Sequence, residues 1–171
     1  MIATQTNISK TKTRVLNIIL ILVGGALFLV LLLRSRLVYS PVLDVTKSYD
    51  ALISIGSKTI PVTIADTEEE RNLGLSGTKS LNPDTGKLFV FDSEGVYGFW
   101  MKDMSYDIDI IWIDSDFRVI AINKAVSKDS YPEIFLPPKE VSYVLEVPSG
   151  FSTDNNITEN QLMSFSQELL F

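Results

Sequence analysis

Ala51-Leu52-Ile53-Ser54-Ile55-Gly56-Ser57-Lys58-Thr59-Ile60-Pro61-Val62-Thr63-Ile64-Ala65 is the stretch on which the fold class turns. Leu52, Ile53 and Ile55 precede Gly56-Ser57, and Ile60, Val62 and Ile64 follow it. Two short β-branched runs about a glycine turn form the pattern of a β-hairpin. Pro61 has no N–H to give to a ladder, so the second run is predicted to lie at a sheet edge. Further strand patterns follow at Leu88 to Phe91, Tyr97 to Met101, Ile108 to Ile113, Arg118 to Asn123 and Val141 to Val147. Turn-rich segments such as Asn82-Pro83-Asp84-Thr85-Gly86 and Asp114-Ser115-Asp116 separate them.

One short helix interrupts this series. Asp66 or Thr67 is placed to cap it, Glu69 or Glu70 completes a capping box, and Gly74 ends it after about two turns. Strands at regular spacing with almost no helical period predict an all-β domain over residues 51–171, a compact antiparallel β-sandwich or barrel with one short helix. The tail from Asn160 to Phe171 fits either a last strand or a frayed helix.

Upstream, the reading changes. Val15 to Leu33 is a 19-residue stretch in which Asn17 is the only clearly polar side chain. At a rise of about 1.5 Å per residue it makes roughly 28 Å of helix, enough to cross a bilayer core. The expected organisation is a cytoplasmic N-terminus over residues 1–14, a transmembrane helix over 15–33 inserted in the lipid bilayer, a linker over 34–50 and an exported β domain. Lys10, Lys12, Arg14 and the terminal amine outnumber Arg34 and Arg36, which favours that orientation. A cleaved signal peptide would have a shorter apolar region and a small-residue cleavage site, whereas Arg34-Ser35-Arg36 follows here. A single-pass membrane protein with an extracytoplasmic C-terminal domain is the resulting localisation.

Composition narrows the chemistry. The chain has 171 residues and no cysteine or histidine. Their absence excludes Ser-His-Asp and Cys-His nucleophilic machinery, the usual zinc sites, thiol redox chemistry and disulfides. All 21 acids but only ten of the 15 bases follow Arg36, so the exported part carries a net charge of −11. Nucleic acid is a poor partner for such a surface, because phosphate binding needs a basic footprint.

Phe99-Trp100-Met101-Lys102-Asp103 is the most distinctive block. Strand alternation would send Phe99 and Met101 to one face and Trp100 and Lys102 to the other, offering an aromatic platform with polar heads. Trp100, Lys102, Asp103 and Asp109 are therefore the candidate ligand-binding residues. The alternative is that both aromatics fill the core and Lys102 pairs with an acid. Asp103, Asp107 and Asp109 form the dense acidic cluster beside this block. They suggest an all-oxygen Ca²⁺ or Mg²⁺ site or a carboxylate pair, hence a carboxylate- or metal-dependent hydrolase as the alternative function. The structural reading of the same acids is solvated loops, with Asp109 capping a turn or pairing with Lys102 or Arg71. Asp114-Ser115-Asp116 lacks the glycine and terminal acid of a calcium loop, so no metal, catalytic residue or cofactor is assigned. Tyr131 to Pro138 reads as a stiff aromatic-proline loop that covers a pocket or closes one end of the barrel. Glu70 and Arg71 are expected to form local helix and inter-segment ion pairs.

Five blocks in fixed order carry a family resemblance. They are Ala65-Asp66-Thr67 with Glu70-Arg71 and Gly74-Leu75-Ser76; Gly86 with Leu88-Phe89 and Phe91; Phe99 to Met104; Asp109 to Asp114; and Val144-Leu145-Glu146-Val147 with Gly150-Phe151. Together they resemble the domain of unknown function 192 (DUF192) family over roughly Ile60 to Ile157. The resemblance implies a compact β-rich fold, frequently exported or tethered, with no agreed activity. The chain departs from the family pattern at Lys87, Asp103 and Asp107. The function expected from these readings is a membrane-anchored extracytoplasmic β domain that binds a small molecule, glycan or envelope component.

Overall fold

The computed structural model describes residues 49–166. The transmembrane stretch 15–33, the 1–14 segment and all but the end of the 34–50 linker lie outside the described residues. Among the described residues no helix is long and apolar enough to cross a membrane.

The hairpin forms where the β-branched runs place it. Strands β1 (Ala51–Ile55) and β2 (Lys58–Ala65) are joined by Gly56-Ser57, with Gly56 at φ +59°, a region open to glycine at little cost. Helix α1 (Glu68–Leu73) then begins at Thr67, whose hydroxyl accepts the Glu70 N–H while the Glu70 carboxylate accepts the Thr67 N–H. These Thr67 hydrogen bonds hold the Glu70 carboxyl below its ordinary value. Strands β3 (Gly86–Gly95), β4 (Ile108–Ile113), β5 (Val119–Val126) and β6 (Val141–Pro148), one helical turn α2 (Phe151–Asp154) and strand β7 (Met163–Phe165) follow among the described residues.

All seven strands belong to one sheet, in the order β5-β4-β6-β3-β2-β1-β7. This corrects the sandwich expectation and part of the antiparallel one: among the described residues there is no second sheet, and β2 and β3 run parallel from Val62↔Gly86 to Ala65↔Phe89. The physical cause is α1, which carries the chain back across the sheet and so makes a crossover in place of a hairpin. Pro61 is corrected as well, because β2 lies between β1 and β3. Pairing with β3 starts at Val62, one residue past the proline, so β3 never calls on its missing N–H.

The sheet curls into a half-barrel whose edges meet at one end. Asn160 donates to the Val119 carbonyl, Val119 to Gln161 and Met163 to Phe117, joining the approach to β7 to the start of β5. Within the tail, Met163–Phe165 therefore form a strand, and residues 167–171 lie outside the described residues. Alternation then sorts the apolar side chains into two cores. Ile53, Ile55, Val62, Leu88, Ile111, Ile113 and Leu145 fill the concave side, and Phe151 of α2 joins them. Phe89, Ile108, Ile110, Trp112 and Val144 face outward and are covered by Leu75, Met101 and the loops around them. Gly86 is required at the β3–β6 contact, because a Cβ there would meet the Glu146 carbonyl oxygen and Leu145 Cδ1 at 3.0 Å.

Candidate functional site

The segment after β3 forms one bridge in place of the predicted strand over Tyr97 to Met101. Phe99 exchanges two main-chain hydrogen bonds with Phe135, of 2.9 and 2.8 Å. Even so, the side chains alternate as the strand pattern requires. Phe99 packs edge-on against Phe89 at 4.8 Å and Trp112 at 5.5 Å, and Met101 is fully buried. Trp100 points the other way and is 48% exposed. Lys102 and Asp103 are exposed on the turn that follows. Their carbonyls accept hydrogen bonds from the Ser76 hydroxyl and the Gly77 N–H, which tie this turn to the end of α1.

Trp100 lines a groove of about 450 Å³ between α1 and this segment. Its floor is Phe89, Phe91, Phe99 and Leu75, and Met104 and Leu73 stand at its sides. Arg71 forms one wall. Its guanidinium Nη1 donates to the carbonyls of Asp66 and Val90, and its Cζ lies 5.4 Å from the centre of the Phe91 ring. Phe91 in turn stacks on Tyr97, whose hydroxyl donates to the Ser93 carbonyl at 2.7 Å. Guanidinium and two rings thus make a fixed layered wall. This corrects the ion-pair expectation for Arg71: carbonyl oxygens and an aromatic face hold it, because its long side chain reaches β3 from α1. The Tyr131 to Pro138 loop lies beside the groove, with Ile134 and Leu136 exposed and Phe135 turned inward. Ile134 rests against the backbone of Gly98, where a Cβ would sit 2.8 Å from Ile134 Cγ2.

Asp109 lies elsewhere. It follows Ile108 on β4, so its side chain is on the concave face with Ile111 and Ile113, opposite the face that Phe99 packs on. It is fully buried. Its Oδ1 accepts N–H groups from Ala125 at 2.8 Å and Gly150 at 3.2 Å, and its Oδ2 accepts that of Ser152 at 2.9 Å. Asp109 therefore ties β4 to the irregular end of β5 and to the start of α2, which is the turn-capping alternative raised by the sequence. Asp107 accepts the Lys128 N–H at 2.8 Å. The structure thus disperses Asp103, Asp107 and Asp109, and among the described residues no three acidic side chains are placed to hold a metal ion. Of the four candidate binding residues, only Trp100 lines the groove. Lys102 and Asp103 sit on the turn beside it, and Asp109 is on the other side of the sheet.

One buried acid escaped the sequence reading as a chemical group. Glu146 of β6 faces outward beside Ile110 and opposite Lys87 of β3. Burial pushes its pKa from 4.5 up to about 8, with Lys87 opposing the rise, and its Oε2 has no hydrogen-bond partner. The signal was a lone acid in the apolar run Val141 to Val147.

A curled seven-stranded sheet with an aromatic groove under one short helix defines a small β domain. The chain belongs to the DUF192 family, described as an uncharacterized ACR, whose model matches residues 51–165. It is 29% identical over 105 residues to UPF0127 protein TK1120 of Thermococcus kodakarensis, covering 61% of this chain and 64% of that relative, just under two thirds. It is 31% identical over 94 residues to UPF0127 protein PH1112 of Pyrococcus horikoshii, covering 52% of this chain and 73% of the relative. Two crystal structures share the fold. One is a protein from Sinorhizobium meliloti 1021, provisionally described as a transcription regulator, with TM-score 0.64, 24% identity, and 70% of this chain and 96% of that one covered. The other is a protein of unknown function from Novosphingobium aromaticivorans, with TM-score 0.63, 19% identity, and 70% and 94% covered.

Proposed function

We propose that this chain is a membrane-anchored extracytoplasmic β domain that binds a small molecule or envelope component in the groove under α1. The observation that carries the binding role is Trp100, a large aromatic left half-exposed at the mouth of a built aromatic groove while its neighbour Met101 is buried and Phe99 is partly buried against the core. Concave, mostly apolar sites with a few polar groups at the rim are the usual form of small-ligand sites. The anchoring role rests on the Val15 to Leu33 stretch and the basic residues before it. A net charge of −11 after Arg36 speaks against a nucleic-acid partner, and likeness at 24% identity carries only the fold across from the Sinorhizobium protein.

The two tryptophans make the binding role measurable. In full-length protein labelled with 5-fluorotryptophan and held in lipid nanodiscs, 2-phenylethanol should shift the ¹⁹F signal of Trp100 and leave that of buried Trp112 in place. Trp100→Ala, with 2-phenylethanol binding followed by saturation-transfer NMR of the ligand, should abolish binding and change stability by less than about 1 kcal/mol, as exposed positions do. Phe99→Ala should cost about 2 to 3 kcal/mol, because it opens a cavity against Phe89 and Trp112. Equal destabilisation by the two changes would make Trp100 a packing residue and end the binding role.

The anchoring role has its own test. Full-length protein should pellet with membranes and resist extraction by carbonate, and protease added outside spheroplasts should digest the domain. Recovery of the intact chain in the soluble fraction would refute the anchor, and complete protection from protease would reverse the orientation.

A further inference from the structure

The charges that line the groove under α1 do not balance. Arg71 is the only base among its lining residues, and its Nη1 is committed to the carbonyls of Asp66 and Val90 with Phe91 beneath it. Glu68 and Asp92 line the same groove from α1 and β3, and both are exposed. Among the described residues neither forms an ion pair. The Glu70 carboxylate beside them is already occupied by Thr67. Two carboxylates without cationic partners therefore face an aromatic groove in which Trp100 is half-exposed.

Resting on the binding role proposed above, we infer that the ligand of this groove is an organic cation: a protonated amine, guanidinium or quaternary ammonium group carried on an apolar body. A cation gains from both features at once, through the carboxylates at the rim and the negative face of an indole or phenol ring. The apolar body occupies the floor formed by Leu75, Phe89 and Phe99. An anion of the same shape meets two like charges and only the remaining donors of Arg71. The excess of acids over bases in the whole domain adds a field of the same sign. The ammonium or guanidinium could come from a free small amine or from a lysine or arginine side chain of a polypeptide, since both present the same group.

A matched series of probes tests this on full-length protein in nanodiscs, read by the ¹⁹F signal of Trp100. Phenethylammonium, 2-phenylethanol and phenylacetate share a ring and differ in charge. Phenethylammonium should bind at least about tenfold more tightly than 2-phenylethanol, with phenylacetate weakest, and its advantage should shrink as salt is raised. The double variant Glu68→Gln, Asp92→Asn should bring the ammonium down to the affinity of the alcohol. Equal affinity for ammonium and alcohol, or tighter binding of phenylacetate, overturns the cation assignment and leaves the groove's binding role standing. A Trp100 signal silent to all three probes overturns the binding role itself. Acetyl-Phe-Lys-amide run beside phenethylammonium separates the sources: tighter binding of the peptide points to a polypeptide side chain, and tighter binding of the amine to a free small molecule.

Discussion

Asp109→Ala should lower the stability of the domain by about 4 kcal/mol, the largest effect expected from a single site in this protein. Three main-chain N–H groups, those of Ala125, Gly150 and Ser152, end on this one carboxylate inside the protein. An alanine leaves all three without an acceptor, and each buried unsatisfied donor costs about 1 to 3 kcal/mol. For a domain of this size the loss corresponds to a drop in Tm of roughly 15 °C. Asp109→Asn should fall between, since the amide oxygen can replace only one carboxylate oxygen and the NH₂ group must face an N–H. Thermal unfolding followed by tryptophan fluorescence measures both. A loss below about 1 kcal/mol for the alanine variant would mean that water replaces the carboxylate and that the site is open.

The second large effect is a pH dependence governed by Glu146. Its folded pKa of about 8 lies above its ordinary 4.5 because burial disfavours the charged form. The native state therefore holds a proton that the unfolded state gives up, and stability is greatest below about pH 4.5 and falls as pH rises through about 8. Between pH 5 and pH 8 the expected loss is about 3 kcal/mol. Glu146→Gln, which cannot ionise, should remove this contribution and flatten the profile over the same window. Lys87→Met should steepen the loss, because the Lys87 charge on the neighbouring strand is what restrains the rise. Denaturant midpoints collected at several pH values decide the matter. Identical pH profiles for wild type and Glu146→Gln would show that water reaches the carboxyl and that it ionises as an ordinary acid.

These two acids also show where sequence reasoning stops. Asp109 stands two residues from Asp107 and close to Trp100 and Lys102 in the chain, and this nearness suggested a shared site. Once β4 pairs on both sides, period-two alternation sends Asp109 to the concave face and leaves the Trp100 segment over the convex one. Sequence distance carries no information about which face of a sheet a neighbouring loop crosses. Glu146 looked like one acid of a family block, and only the strands on either side of β6 make it buried.

What the amino-acid sequence determined by itself was local. The β1–β2 hairpin follows from β-branched runs about Gly56-Ser57, and the α1 cap from Thr67 and Glu70 at capping-box spacing, because both depend on backbone preferences within a few residues. The inward turn of Phe99 and Met101 and the outward turn of Trp100 follow from alternation, which needs no partner to be defined. The family follows from five ordered blocks. Tertiary structure alone decided the rest: the interior place of Pro61, the parallel β2–β3 pair, the curl that joins β5 to β7, the reach of Arg71 to Val90, and the separation of Asp109 from Trp100. Each depends on contacts between residues distant in the chain, whose pairing is set by the global fit of two apolar faces and by the hydrogen bonds each strand must find.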